Sequence, residues 1–190
     1  MFADFNNNFK KILANLTTTL YKVIRISAQK KGGNRMCDYI GNAYLSVFGK
    51  HFAYRAGLNE RMQMQKMVYL LERMGMNVGD YNFVWYKHGP YSQGLQDDAS
   101  KIKASTMRDV KFTEHAQIIM NKMKTIAEMY TQTTYDMPSW LEAVASLDFL
   151  LTRKMYDEQK ALNKLKELKP HLNDNQANII ALSVCQKMCA

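Results

Sequence analysis

A chain of 190 residues and 22.0 kDa can bury one sizeable core. With 47% hydrophobic residues, including eight Phe, eleven Tyr and fourteen Met, wholesale disorder is excluded. The three cysteines, Cys37, Cys185 and Cys189, are too few and odd in number for a disulfide framework and suit reduced thiols. Six of the nine surplus positive charges fall in residues 1–35, where Lys10, Lys11, Lys22, Arg25, Lys30, Lys31 and Arg35 face Asp4 alone. No apolar run reaches membrane-spanning length, and Asn and Lys interrupt "MFADFNNNFKKILANL" where a signal peptide needs its apolar region. A cytoplasmic protein is the expectation.

Taken in chain order, Phe2, Phe5, Phe9, Ile12, Leu16, Leu20 and Val23 recur at helical steps, with the cations on other faces. The spacing predicts a basic amphipathic helix, closed by Gly32 and Gly33, as an appendage spanning 1–35. Three readings stay open for it: a helix docked on its own core with a wet basic side, an arm reaching nucleic-acid phosphates through these seven cations, or a membrane-surface helix. Residues 36–190 read as one mainly helical domain. Met36, Ile40, Tyr44, Val47 and Phe48 mark its first helix. Met62, Met67, Leu70, Leu71 and Met74 mark a second, with Asn59 as its expected cap and Gly75 as its stop.

Residues 81–98, "YNFVWYKHGPYSQGLQDD", break the helical pattern. "YNFVW" predicts a short strand and "KHGP" the turn that ends it, and Ser92 caps a short helix. "DVKF" predicts a second strand, and Thr113 caps a helix running to Tyr130. This order gives a winged-helix-like centre around 60–130, with residues 104–112 as a stunted wing. Further on, Ser139 and Glu142 read as a capping box after Pro138, ahead of a stripe of Trp140, Val144, Leu147 and Leu151. Asp157 opens the next helix, and Asn173 with Gln176 the last. Together they predict a C-terminal helical bundle. Cys185 and Cys189, four apart with no CxxC or HxxxH beside them, read as buried thiols.

"MQKMVYLLERMG" followed by "YNFVWYKHGPYSQGLQDD" resembles the YwgA-like proteins and the related Panacea domain of phage-encoded and antitoxin proteins, whose signature is a "LQKxxYLL" helix, an aromatic strand and "YGPYSxxL". "SWLEAVASLDFLL" and "LKELKPHLNDNQANIIAL" are similar to the helical C-terminal half of the YwgA-like group, so the likeness spans 60–185. It implies a helical domain with a winged-helix-like core, no established enzymatic chemistry, and binding to a toxin or another protein. His88 stands where the family usually has Tyr or Phe.

Pro90 fixes its own φ and keeps Gly89 out of the helical region, so the chain must turn sharply there. Trp85, Gly89, Pro90 and Tyr91 are read as a structural corner with buried aromatics, and Tyr86, Lys87, His88 and Ser92 as its partner-binding side. Nothing places a nucleophile or an acid beside His88 as a catalytic base. Asp97 and Asp98 disfavour the short helix as a reader of DNA. No phosphate-binding glycine loop, HExxH or nucleophile elbow occurs. The expectation is therefore a non-enzymatic phage or mobile-element regulator, without cofactor or metal. It would bind and neutralise a protein or nucleoprotein target, as an antitoxin or an anti-defence protein does, anti-CRISPR inhibition of a guide-RNA nuclease included. A DNA-binding winged-helix transcriptional regulator is the alternative, and oligomeric state is left open.

Overall fold

The computed structural model describes residues 35–188, so the expected N-terminal helix and Lys10, Lys11, Lys22, Arg25, Lys30 and Lys31 lie outside the described residues. Seven α-helices and one two-stranded sheet follow in order: α1 Arg35–Phe48, α2 Leu58–Arg73, β1 Val84–Tyr86, β2 Gly89–Tyr91, α3 Gln93–Ala99, α4 Glu114–Glu128, α5 Met137–Thr152, α6 Glu158–Leu168 and α7 Asn175–Met188. The fold is mainly α with two short strands, as the pattern of the sequence predicts.

The second strand does not come from "DVKF". Residues 104–106 form a 3₁₀ turn and 107–113 run irregularly, while β2 follows β1 after two residues. The pairing is antiparallel, with Val84 opposite Tyr91, Trp85 opposite Pro90 and Tyr86 opposite Gly89. "DVKF" has strand propensity but no neighbouring edge to pair with, and strand propensity counts only where a partner exists.

Local signals place most helix ends. Ser92, Thr113 and Asp157 each accept a backbone N–H three residues on. At Gly75, φ is +92°, and the bonds Gly75 N–H to Glu72 O and Met76 N–H to Leu71 O close α2 as a Schellman motif. Three expected caps move. α2 follows Gly57 with no side-chain cap, Asp136, not Ser139, caps α5 by accepting from Ser139 N, and Asp174, not Asn173, precedes α7 and accepts from Ala177 N. Glu142 is thereby released from the capping box. It faces the interior at 1% exposure.

α5 is the hub, packing against α2, α6, α7 and β2. Residues 140–150 of it are all buried, which suits a helix apolar around most of its circumference. Its polar positions are tied rather than exposed. Trp140 Nε1 donates to Ile126 O at 2.7 Å, fixing α5 to α4. Asp148 accepts from Tyr69 Oη at 2.5 Å and Arg73 Nε at 2.8 Å, fixing it to α2. At the other end, Tyr135 Oη donates to Asn178 Oδ1 on α7. Cys37 and Cys185 are buried, their thiols donating to Asp98 O and Val144 O. Among the described residues no helix is long and apolar enough to cross a membrane.

Candidate functional site

The β1–β2 hairpin lies across α2 and α5, and its shape follows from its turn. Lys87 and His88 span it with negative φ, so the left-handed residue that a tight hairpin needs is supplied by Gly89, at φ +79°. Pro90 is tolerated because a two-stranded sheet has only edge strands.

Backbone groups that this hairpin leaves unpaired are met by three long side chains from elsewhere. Gln65 grips Ser92 twice, Nε2 donating to Ser92 O and Oε1 accepting Ser92 N–H, both at 2.9 Å. Lys66 Nζ donates to Pro90 O at 2.6 Å. From the loop after α6, Lys169 Nζ donates to Tyr86 O at 3.2 Å and to Lys87 O, and it lies over the Trp85 ring at 5.2 Å. "QK" and "HGPYS", distant in sequence, are thus the two halves of one backbone clamp.

Beneath the turn the charges converge. Glu142 Oε2 faces His88 Nδ1 at 3.3 Å and His171 Nε2 at 3.1 Å, while Oε1 is 3.6 Å from Lys169 Nζ. That last separation is an ion pair too long for a hydrogen bond, and Oε1 has no hydrogen-bond partner. Lys66 is fully enclosed, and burial, reinforced by the nearby Lys169 charge against the pull of Glu142, lowers its pKa to about 7. Burial likewise lowers Lys169, opposed by Glu142. One turn along α5, Ser146 Oγ is buried without a partner beneath Gly89.

The hairpin divides the residues expected there differently from the sequence reading. Tyr86 is 53% exposed, Lys87 is exposed and His88 half-buried. Ser92, expected on the partner side, is 2% exposed, because Gln65 holds its backbone and its hydroxyl caps α3. In the corner Gly89 and Pro90 are buried, whereas Trp85 and Tyr91, expected beneath it, are only half-buried. Trp85 rests on Phe149 with ring centres 5.8 Å apart, and Tyr91 on Tyr86 at 5.3 Å. Of the expected phosphate-binding cations, Arg35 alone falls within the described residues, as the first residue of α1.

Sequence reasoning did not find Lys66, Glu142, Lys169 or His171. Their signal is weak, since Glu142 stands 54 residues from His88 and 29 from His171. "LKPHL" carries both Lys169 and His171, but only the fold shows what they face.

Beside the turn, a groove of about 120 Å³ opens between the start of α2, the hairpin and α3, lined by Leu58, Arg61, Met62, Tyr86, His88 and Tyr91 among others. Leu58 at 51%, Val84 at 50% and Tyr86 at 53% exposure make this end of the molecule rich in uncovered apolar surface. Comparison with family models, with curated proteins and with solved structures finds no match for this chain.

Proposed function

We propose that this chain acts by binding a protein partner rather than by turnover, and that the hairpin groove receives a large apolar side chain from a segment of that partner. The observation that carries this reading is the exposed apolar rim itself: Tyr86 and Leu58 stand half out of the surface, Tyr86 on a hairpin backbone clamped by Gln65, Lys66 and Lys169. Rigid, preorganised aromatics around a small pocket are the usual anchors of protein recognition. Arg61 in the lining and exposed Lys87 in the turn favour acidic residues flanking the inserted side chain. In cellular terms this is capture and neutralisation of a target, of the antitoxin or anti-defence kind, with residues 1–35 extending it to nucleoprotein. A DNA-reading role for α3 has less behind it, since that helix spans seven residues and turns Asp97 to solvent.

Affinity capture from host lysate, with and without nuclease, tests the reading when the same species is titrated against variants. Tyr86→Ala and Leu58→Ser should leave the melting temperature nearly unchanged and weaken binding by about tenfold or more. Ile179→Ala, an exposed apolar residue on α7, should bind normally. Equal binding by all three variants sinks the groove as the binding surface. If the partner carries nucleic acid, replacing Lys10, Lys11, Lys22, Arg25, Lys30 and Lys31 by Gln should flatten the log–log salt dependence by about 0.7 to 0.9 per lost phosphate contact.

A further inference from the structure

We infer that His88 Nδ1, Glu142 Oε2 and His171 Nε2 form a binding site for a divalent transition-metal ion of the zinc class. The three donor atoms lie within 4.8 Å of one another. They come from three separate elements: the hairpin turn, the buried face of α5, and the loop between α6 and α7.

Donor chemistry and spacing agree with such an ion. Two imidazole nitrogens and one carboxylate oxygen are a recognised zinc set that leaves a coordination position open. An ion about 2.0 to 2.2 Å from each donor sets neighbouring donors about 2.8 to 3.6 Å apart in octahedral or tetrahedral geometry. Both histidines approach the same oxygen, Oε2, at 3.3 and 3.1 Å, within that range. Charge-assisted hydrogen bonds to a carboxylate are usually shorter, about 2.7 to 2.9 Å. The third edge, between the two ring nitrogens, closes by rotation of side chains that are 37% and 48% exposed, and the same exposure gives the ion its entry path.

An independent observation lies on the other oxygen of the carboxylate. Glu142 is 1% exposed, and its Oε1 has no hydrogen-bond partner. Lys169 stands 3.6 Å away and is itself anchored to the carbonyls of Tyr86 and Lys87. It therefore acts as an outer partner that orients the carboxylate and ties the site to the hairpin. His88 also lines the groove. A bound ion would pin the hairpin turn to α5 and to the α6–α7 loop, fixing the groove wall, with water in the open position. This site does not depend on the protein-capture reading.

The test is calorimetric titration of the full chain with zinc chloride after chelator treatment, beside thermal melts with and without zinc. One zinc ion per chain at micromolar or tighter affinity, with a raised melting temperature, is the expected result. His88→Ala and His171→Ala should each weaken binding at least tenfold, with metal-free melts close to that of the parent. His51→Ala and His115→Ala, remote from the cluster in sequence, should bind as the parent does. Cobalt loading should give visible d–d bands with no sulfur-to-metal charge-transfer band. Absence of binding up to about 100 µM zinc, undiminished binding in both His88→Ala and His171→Ala, or a sulfur charge-transfer band would each overturn the site.

Discussion

Gly89→Ala is expected to cost about 2 to 5 kcal/mol, for two reasons that can be separated. At φ +79° a residue with a Cβ sits in the left-handed region, which costs roughly 1 to 2 kcal/mol. The new Cβ would also stand 2.2 Å from Ser146 Oγ, with Ser146 Cβ at 3.4 Å and its backbone Cα at 3.7 Å behind it. That hydroxyl cannot swing into open space, because Ser146 is fully buried, so the overlap adds roughly 1 to 3 kcal/mol. Ser146→Ala alone should be neutral or slightly stabilising, since it removes a buried oxygen that makes no hydrogen bond. Combined with Gly89→Ala it should recover the steric share and leave the backbone strain. Denaturant melts of the four proteins measure the coupling, which should be about 1 kcal/mol or more. A coupling of zero would mean that the hairpin does not rest on α5 through this contact.

The same pair shows what the sequence could and could not disclose. Gly89 was legible as a turn residue because turn chemistry is local: a glycine before a proline and after an aromatic strand has few other uses. Its close approach to Ser146, 57 positions further along the chain, was not. The caps Ser92, Thr113 and Asp157 were legible for the same local reason, each bonding an N–H three residues ahead. Local pattern alone can misplace a cap. Ser139 and Glu142 fit a capping box, but Asp136 stands one turn earlier and takes Ser139 N–H, which makes Ser139 the third residue of the helix and turns Glu142 inward. That shift in register concealed the centre of the site, since a capping glutamate belongs at a wet helix end and this one is buried under two histidines and a lysine. Similarly, Lys66 sits beside Gln65 in a methionine- and leucine-rich stripe, where a lysine reads as a solvated position. The fold buries it because Pro90 O needs a donor there.

A lysine buried in this way should make stability rise with pH, the reverse of what surface lysines do. In the unfolded chain Lys66 keeps its proton to about its ordinary 10.5, whereas in the folded chain it loses it near 7. Between those values the unfolded state binds the extra proton, so stability should climb by up to about 1.4 kcal/mol per pH unit. Below pH 7 both states are protonated and the contribution is flat, with the penalty of an enclosed ammonium fully present. Lys169, lowered by burial, adds to the same rise. Opposing it at higher pH are Cys37, with its ordinary value of 9.0, and Tyr44 and Tyr69, with theirs of 10.0; burial raises all three, so folding loses stability once their unfolded counterparts ionise. The clean window is therefore pH 7 to 9, over which the gain traceable to Lys66 should reach about 2 to 3 kcal/mol. Urea denaturation at pH 7, 8 and 9, in chelator so that no metal couples to Glu142, measures it in the parent and in Lys66→Met. The methionine variant fills a similar volume but cannot titrate, so its slope should fall below the parent's by up to about 1.4 kcal/mol per unit, Lys169 supplying what remains. Parallel slopes would show that Lys66 keeps its proton in the folded state, and the clamp on Pro90 O would then be an ammonium held by the Glu142 carboxylate rather than an amine.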